Sequence, residues 1–329
     1  MTSPQLHITR RKNRNTYDYF DVNEKRITDK RIIERINKLA IPPAWRRVEI
    51  APSAAAKLQA TGYDSAGRKQ SIYHPTFRLR QDEQKFERIL RFARALPKLR
   101  AQASRDMNRR TLSREKVLAL IVTLMDQAYF RVGNETSAKE QGTYGITTLR
   151  SKHVDASTTT VVFDFTGKSG QKQHKEINDR KVARIIKQLD EAPGYELFHF
   201  IDHEGQKQNI SASDVNEYIK ETMGEEFTAK DFRTWGGTLL ATSAALKVDI
   251  DKEAGKTELK KMVTTIVKSV AKRLGNTPAI ARSSYIDPRV IGAFDDKETL
   301  PKLREAMTKM KPRKYLSIEE QCVMKLLSG

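Results

Sequence analysis

VVFDFTGKSGQKQHKEI, residues 161–177, decides the fold class, because it interrupts a long helical reading with a hairpin. Val161, Val162, Phe163 and Phe165 supply β-branched and aromatic density, QKQHKEI alternates in polarity, and Gly167 and Gly170 make the turn. Such a hairpin projects Lys168 outward. With YGITTL (144–149) and KHVDA (152–156) it predicts a small antiparallel sheet over residues 144–178.

On either side of this sheet the apolar spacing is helical. Helices are predicted over 81–108, 113–133, 178–192, 211–224, 228–248 and 256–275, followed by a short segment to Tyr285 and a charge-rich tail. Residues 1–80 read as short strands and turns with two brief helices. HITRRKNRNTYDYFDV alternates unevenly, TDKRIIERINKLA is a helix capped by Thr28 or Asp29, and RRVEIA is a strand. PSAAAKLQATG (52–62) reads as a short helix entered through Pro52, and YDSAGRKQSIYH as a hairpin about Ser65-Ala66-Gly67. The class is therefore α+β. A small β-rich domain spans 1–80 and a larger, mainly helical one spans 81–329.

Lys and Arg number 61 against 41 acids, a net charge of +20 over 329 residues, so a polyanion is the expected partner. The apolar fraction, 38%, supports a folded core rather than a basic disordered tail. No apolar run approaches the roughly 20 residues that span a bilayer, and no basic amphipathic helix carries aromatic anchors for a membrane surface. The N-terminus has no apolar signal region, and the single Cys322 fits a reducing compartment, so a cytoplasmic protein is expected, nucleoid-associated if the source is bacterial.

Four residues stand out chemically. Tyr285 closes the run RLGNTPAIARSSY, and three isolated cations lie upstream: Arg131 in FRVGNE, Lys168 in TGKSG and Arg233 in DFRTWGG. A phenol with fixed cations is what attack on a DNA phosphodiester needs without a metal. Each cation also has an ordinary reading. Lys168 would be a solvated turn lysine, Arg131 a helix C-terminal cation, and Arg233 the partner of Asp231. Metal readings are weak: His199 with His203, and Asp249 with Asp251, each lack a third ligand. The GKS run is no phosphate-binding loop of the Walker type, and no GxSxG or HExxH occurs, so no cofactor is expected.

Five ordered motifs, FRVGNE, YGITTLRSKHV, FTGKSG, DFRTWGG and LGNTPAIARSSY, together resemble the poxvirus-type and bacterial type IB DNA topoisomerases. TGYDSAGRKQSIYHPTFR resembles their N-terminal DNA-contacting domain. The resemblance implies Tyr285 as nucleophile, Arg131 and Arg233 as a transition-state clamp, and Lys168 as general acid. It places Asn276 where poxvirus enzymes carry histidine, an amide that donates a hydrogen bond but carries no charge. It also implies a monomer whose two domains close as a clamp on duplex DNA, without ATP or metal. Arg68, Lys69, Gln70 and Tyr73 become DNA contacts, while Ser71 stands where poxvirus enzymes have tyrosine. Arg10, Arg11, Lys12 and Arg14 add basic surface. A tyrosine recombinase is the nearest rival, although DFRTWGG lacks the His-x-x-Arg box. A non-catalytic architectural DNA-binding protein is the other.

Overall fold

The structure, a computed structural model, describes residues 7–14, 16–191, 195–249, 255–296 and 298–329. Asp251, one of the acids considered above for a metal, lies outside the described residues. The chain divides into two compact units, Met1–Lys85 and Phe86–Gly329.

The first unit is an antiparallel sheet of β1 (Ile8–Asn13), β2 (Thr16–Phe20), β3 (Arg46–Ile50), β4 (Leu58–Tyr63) and β5 (Lys69–Tyr73), with α1 (Lys30–Lys38) between β2 and β3. The strand order is β2-β1-β3-β4-β5. Its core is Ile8, Tyr19, Ile36, Val48, Ile50 and Ala60. Asp29 caps α1 by accepting from the Arg31 amide at 2.8 Å. The helix expected over residues 52–62 is absent; turns lead directly into β4. The cause is Gln59, whose buried amide donates to the carbonyls of Ser53, Ala54 and Ala56 at 3.3, 2.9 and 2.6 Å. Those carbonyls would otherwise accept helical N–H groups, and Gln59 holds them in a coil.

The second unit begins within α2 (Pro75–Asp106) and continues through α3 (Arg114–Ala128) and α4 (Glu135–Gln141). The small sheet follows as β6 (Val154–Ala156), β7 (Thr160–Thr166) and β8 (Lys172–Asn178), in the order β6-β7-β8. Then come α5 (Arg180–Asp190), a hairpin of β9 (His199–Ile201) and β10 (Lys207–Asn209), and α6 (Ala212–Met223). The chain ends with α7 (Ala229–Lys247), α8 (Lys256–Leu274), α9 (Pro278–Ser284), α10 (Pro288–Gly292), α11 (Thr299–Thr308) and α12 (Ile318–Ser328). Helix α3 is buried along nearly its whole length and is the spine of the larger core, which takes in α2, α5, α6 and the inner face of the sheet. A second cluster joins α7 to α8, α10 and α11.

Two local expectations are corrected here. YGITTL is not a strand: Ile146–Thr148 is a 3-10 turn, with the Ile146 and Thr147 amides spent on the Arg131 and Val132 carbonyls and that of Thr148 on Gly145. Helix α3 stops at Ala128 rather than 133, because Tyr129 is a left-handed C-cap with φ 57°. No described helix is long and apolar enough to cross a membrane.

Candidate active site

The C-terminus of α8 organises the site. A helix end leaves carbonyls without partners and carries partial negative charge. Here three cations from three other segments supply the donors, Lys175 and Arg233 buried and Arg131 half-buried. Lys175 Nζ donates to the Arg273 carbonyl at 2.9 Å, Arg233 to the Leu274 carbonyl at 2.9 Å, and Arg131 to the Gly275 carbonyl at 3.2 Å. Arg131 also donates to Asn276 Oδ1. Gly275 is the left-handed cap of α8 with φ +62°, a conformation that favours glycine, and an added Cβ there would also displace the Gln173 amide.

Both ordinary readings of the arginines fail. Asp231 does not pair with Arg233; it pairs with Arg88 at 2.7 Å and accepts from the Thr228 amide. Arg233 instead donates to the Tyr129 carbonyl at 2.6 Å, which the left-handed turn at Tyr129 presents to it. Arg131 lies beyond the cap of α3 and serves the terminus of a different helix. Among the described residues neither arginine has a carboxylate partner. The Arg233 Nε–H and the Asn276 Nδ2 amide are buried and unpartnered. Two idle donors beside two unneutralised guanidiniums fit an anion with several oxygen acceptors.

Tyr285 is held against this cluster from both ends of its own segment. Thr277 caps α9, Pro278 opens it, and Tyr285 is its C-cap, donating its amide to the Ala281 carbonyl at 3.1 Å. Across from it, Thr238 Oγ donates to the Tyr285 carbonyl at 3.3 Å and accepts from the Asp287 amide at 3.2 Å. The Arg233 guanidinium lies 5.0 Å from the centre of the Tyr285 ring. Burial pushes the phenol up, but the charge of Arg233, then those of Arg131 and Lys230, outweigh it and hold the phenol below its usual 10. Burial, followed by Arg233, lowers Arg131 to about 10, so it stays cationic at neutral pH.

Arg131, Arg233, Asn276 and Tyr285 thus converge. Lys168 does not join them by contact: it sits exposed in the β7–β8 turn, with no side-chain hydrogen bond or ion pair among the described residues. The DNA-contact set in the first unit is more divided than its spacing suggests. In β5 the exposed face carries Lys69, Ser71 and Tyr73, while Gln70 and Ile72 point the other way. Asp64 accepts from both Arg68 and Gln70 at 2.9 Å. Arg10 is spent on the Ile41, Pro42 and Trp45 carbonyls, and Arg11 on Glu24. His199 is buried with Nδ1 on the Leu197 carbonyl, His203 is exposed in the following turn, and no cluster of three metal-ligating side chains occurs among the described residues.

Lys175 was not foreseen from sequence, although the signal was there. The hairpin register sets Lys175 opposite Phe163 and Gln173 opposite Phe165, so both polar residues share the inward face. Gly237 on α7 packs against the Tyr285 backbone. A Cβ there would lie 2.5 Å from the Tyr285 carbonyl oxygen.

Residues 74–312 match the family model described as eukaryotic DNA topoisomerase I, catalytic core, and residues 16–64 match bacterial DNA topoisomerase IB, N-terminal domain. The chain is 38% identical over 276 residues to DNA topoisomerase 1B of Acanthamoeba polyphaga mimivirus, covering 82% of this chain and 81% of that protein. It is 24% identical over 254 residues to DNA topoisomerase 1B of vaccinia virus, covering 75% and 76%.

Proposed function

The chain belongs to the type IB DNA topoisomerases and relaxes DNA by cleavage and religation, and from that premise we propose that Tyr285 is the nucleophile and Arg131, Arg233, Asn276 and Lys168 its partners. The phenol oxygen attacks a phosphodiester in line, forming a 3′-phosphotyrosyl bond as the P–O5′ bond breaks. Bond energy is kept in the covalent link, so religation needs no ATP. The phenol proton is lost as the P–O bond forms, a step made easier by the cations that lower its pKa. Arg131 and Arg233 neutralise charge growing on the non-bridging oxygens, and Asn276 donates from Nδ2. Lys168 reaches in from its turn to protonate the departing 5′ oxygen, which is a poor leaving group otherwise. Between the two steps the downstream duplex rotates and supercoils relax.

The observation that carries this reading is the pair of carboxylate-free guanidiniums, Arg131 and Arg233, with idle buried donors on Arg233 and Asn276 beside Tyr285. Asn276 gives up a full charge relative to histidine but keeps a donor free, which is the property the phosphate needs. The domain at 1–80 is proposed to contact duplex through Lys69 and Tyr73, with Arg68 and Gln70 acting once released from Asp64. The domain at 81–329 carries the chemistry. A monomer working in the cytoplasm on chromosomal DNA is the proposed unit of action. Tyr285→Phe tests the core of the reading on supercoiled plasmid in chelator. Relaxation and the covalent adduct are both expected to vanish, with duplex binding intact. An adduct surviving in that variant overturns the assignment.

A further inference from the structure

Lys175 is a buried amine in a setting that gives it no counter-charge. It is 5% exposed, and its one hydrogen-bond partner among the described residues is the Arg273 carbonyl. On its own strand, His174 and Glu176 point to solvent. The neighbouring strand β7 turns Val161, Phe163 and Phe165 toward it, while Asp164 faces out and pairs with His174. Helix α3 offers no free charge, since Lys116 donates to the Arg109 carbonyl and Asp126 is bound by Arg100. The charges that bear on Lys175 are Arg233 on α7, Arg273 on α8 and Arg131 after α3, all positive.

We propose that Lys175 is a proton-loading residue of the phosphate site, taking up one proton from solvent when a DNA phosphodiester occupies the Arg131–Arg233 clamp. The inference rests on the reading that this clamp holds the scissile phosphate. Without an anion, an ammonium at Lys175 adds a third cation to the half-buried Arg131 and the buried Arg233 on one helix terminus. A phosphate oxygen between the guanidiniums removes that repulsion, and the amine then binds a proton. Burial first, then Arg233, Arg273 and Arg131, lower Lys175 to about 7 in the empty site, so the change falls in the physiological range. The sign follows from linkage. Below pH 7 the free protein already holds the proton and uptake falls away. Above pH 7 uptake approaches one proton per complex, and DNA affinity drops by up to about tenfold per pH unit. Lys175 is a positioning residue on this account: its charge acts on phosphate affinity and on the α8 terminus, and it does not touch the reacting atoms.

The test is calorimetric titration of a short duplex into the Tyr285→Phe chain at pH 6 and pH 8, in two buffers of different ionisation enthalpy. Silencing Tyr285 removes cleavage and the phenol's own proton. Uptake near one proton at pH 8 and much less at pH 6 is expected, and Lys175→Met in the same background should abolish the pH 8 uptake. Lys175→Arg, charged throughout, should bind DNA without the pH dependence, and it keeps the proposal testable if the methionine variant is unstable. Equal uptake with and without Lys175, or none in its presence, overturns the proposal. Adduct formation by the unaltered chain is read in parallel. An adduct through Tyr285 without Lys175-linked uptake sinks only this inference, whereas an adduct in the Tyr285→Phe chain sinks the site assignment beneath it.

Discussion

Arg100 and Arg233 are both withdrawn from water within the same unit, and they are treated in opposite ways. Arg100 uses all five of its N–H donors: bonds of 2.6 and 3.0 Å to Asp126, 2.8 and 2.7 Å to Glu320, and one of 2.8 Å to the Tyr315 carbonyl. Glu320 is tied further to the Trp235 indole at 3.4 Å and caps α12. Arg233, 4% exposed, lies over the Tyr285 ring, donates to the Tyr129 and Leu274 carbonyls, meets no carboxylate among the described residues and leaves Nε idle. A buried guanidinium ringed by carboxylates has spent its charge on the fold. One answered only by peptide dipoles still has charge to give a ligand. The contrast supports the role proposed for Arg233 without reference to motif.

The first way to break the comparison is to remove Arg100. Arg100→Leu strands the buried Glu320 and the half-buried Asp126, and loss of one partner from such a network costs up to about 3–5 kcal/mol. Denaturant unfolding should show that loss, while the cleavage rate of the molecules still folded stays close to that of the unaltered chain. Unchanged stability would mean the network is not a structural fixture. The converse change, Arg233→Gln, orphans no acid. Stability is expected to move by less than about 1 kcal/mol. Single-turnover cleavage should fall about 10²–10³-fold, the usual cost of deleting a preorganised donor to a developing oxyanion. A large drop in stability with normal cleavage would reverse the two roles.

How far the site was legible follows the same division. Tyr285, Arg131 and Arg233 stand out in sequence because each is a lone charged or phenolic group among small and apolar neighbours, and motif order joins them. The helices of the second unit were legible because their apolar periodicity is strong, as in α5, where Val182, Ile185, Ile186 and Leu189 are buried. What sequence hid were the bonds made by single side chains. Gln59 turns an Ala-rich run into coil by collecting three carbonyls, and no propensity registers that. Lys175 looks like one more surface lysine until the β7–β8 register sets it opposite Phe163. Asp64 silences Arg68 and Gln70 from the far side of a turn, which composition reads only as a basic hairpin.

Gly237 gives the finest test of whether the catalytic region is held as tightly as the Arg100 network. It lies on α7, in the turn after Arg233, and the Tyr285 backbone rests where a side chain would be: a Cβ would meet the Tyr285 carbonyl oxygen at 2.5 Å and its Cβ at 2.9 Å. Backbone atoms cannot swing aside as a side chain can, so Gly237→Ala must move α9 and the phenol with it. On α7 alone the change would favour folding, by about 1 kcal/mol of helix propensity. Chemistry should respond in the other direction. A displacement of the nucleophile by about 1 Å costs up to about 10²-fold in rate. Rapid-quench measurement of adduct formation should therefore show slower cleavage, with duplex affinity and unfolding midpoint nearly unchanged. Full-speed cleavage in the alanine variant would show that α9 adjusts freely. The site would then owe its geometry to the bound phosphate rather than to the fold, and the likeness in rigidity between the two arginine clusters would fail.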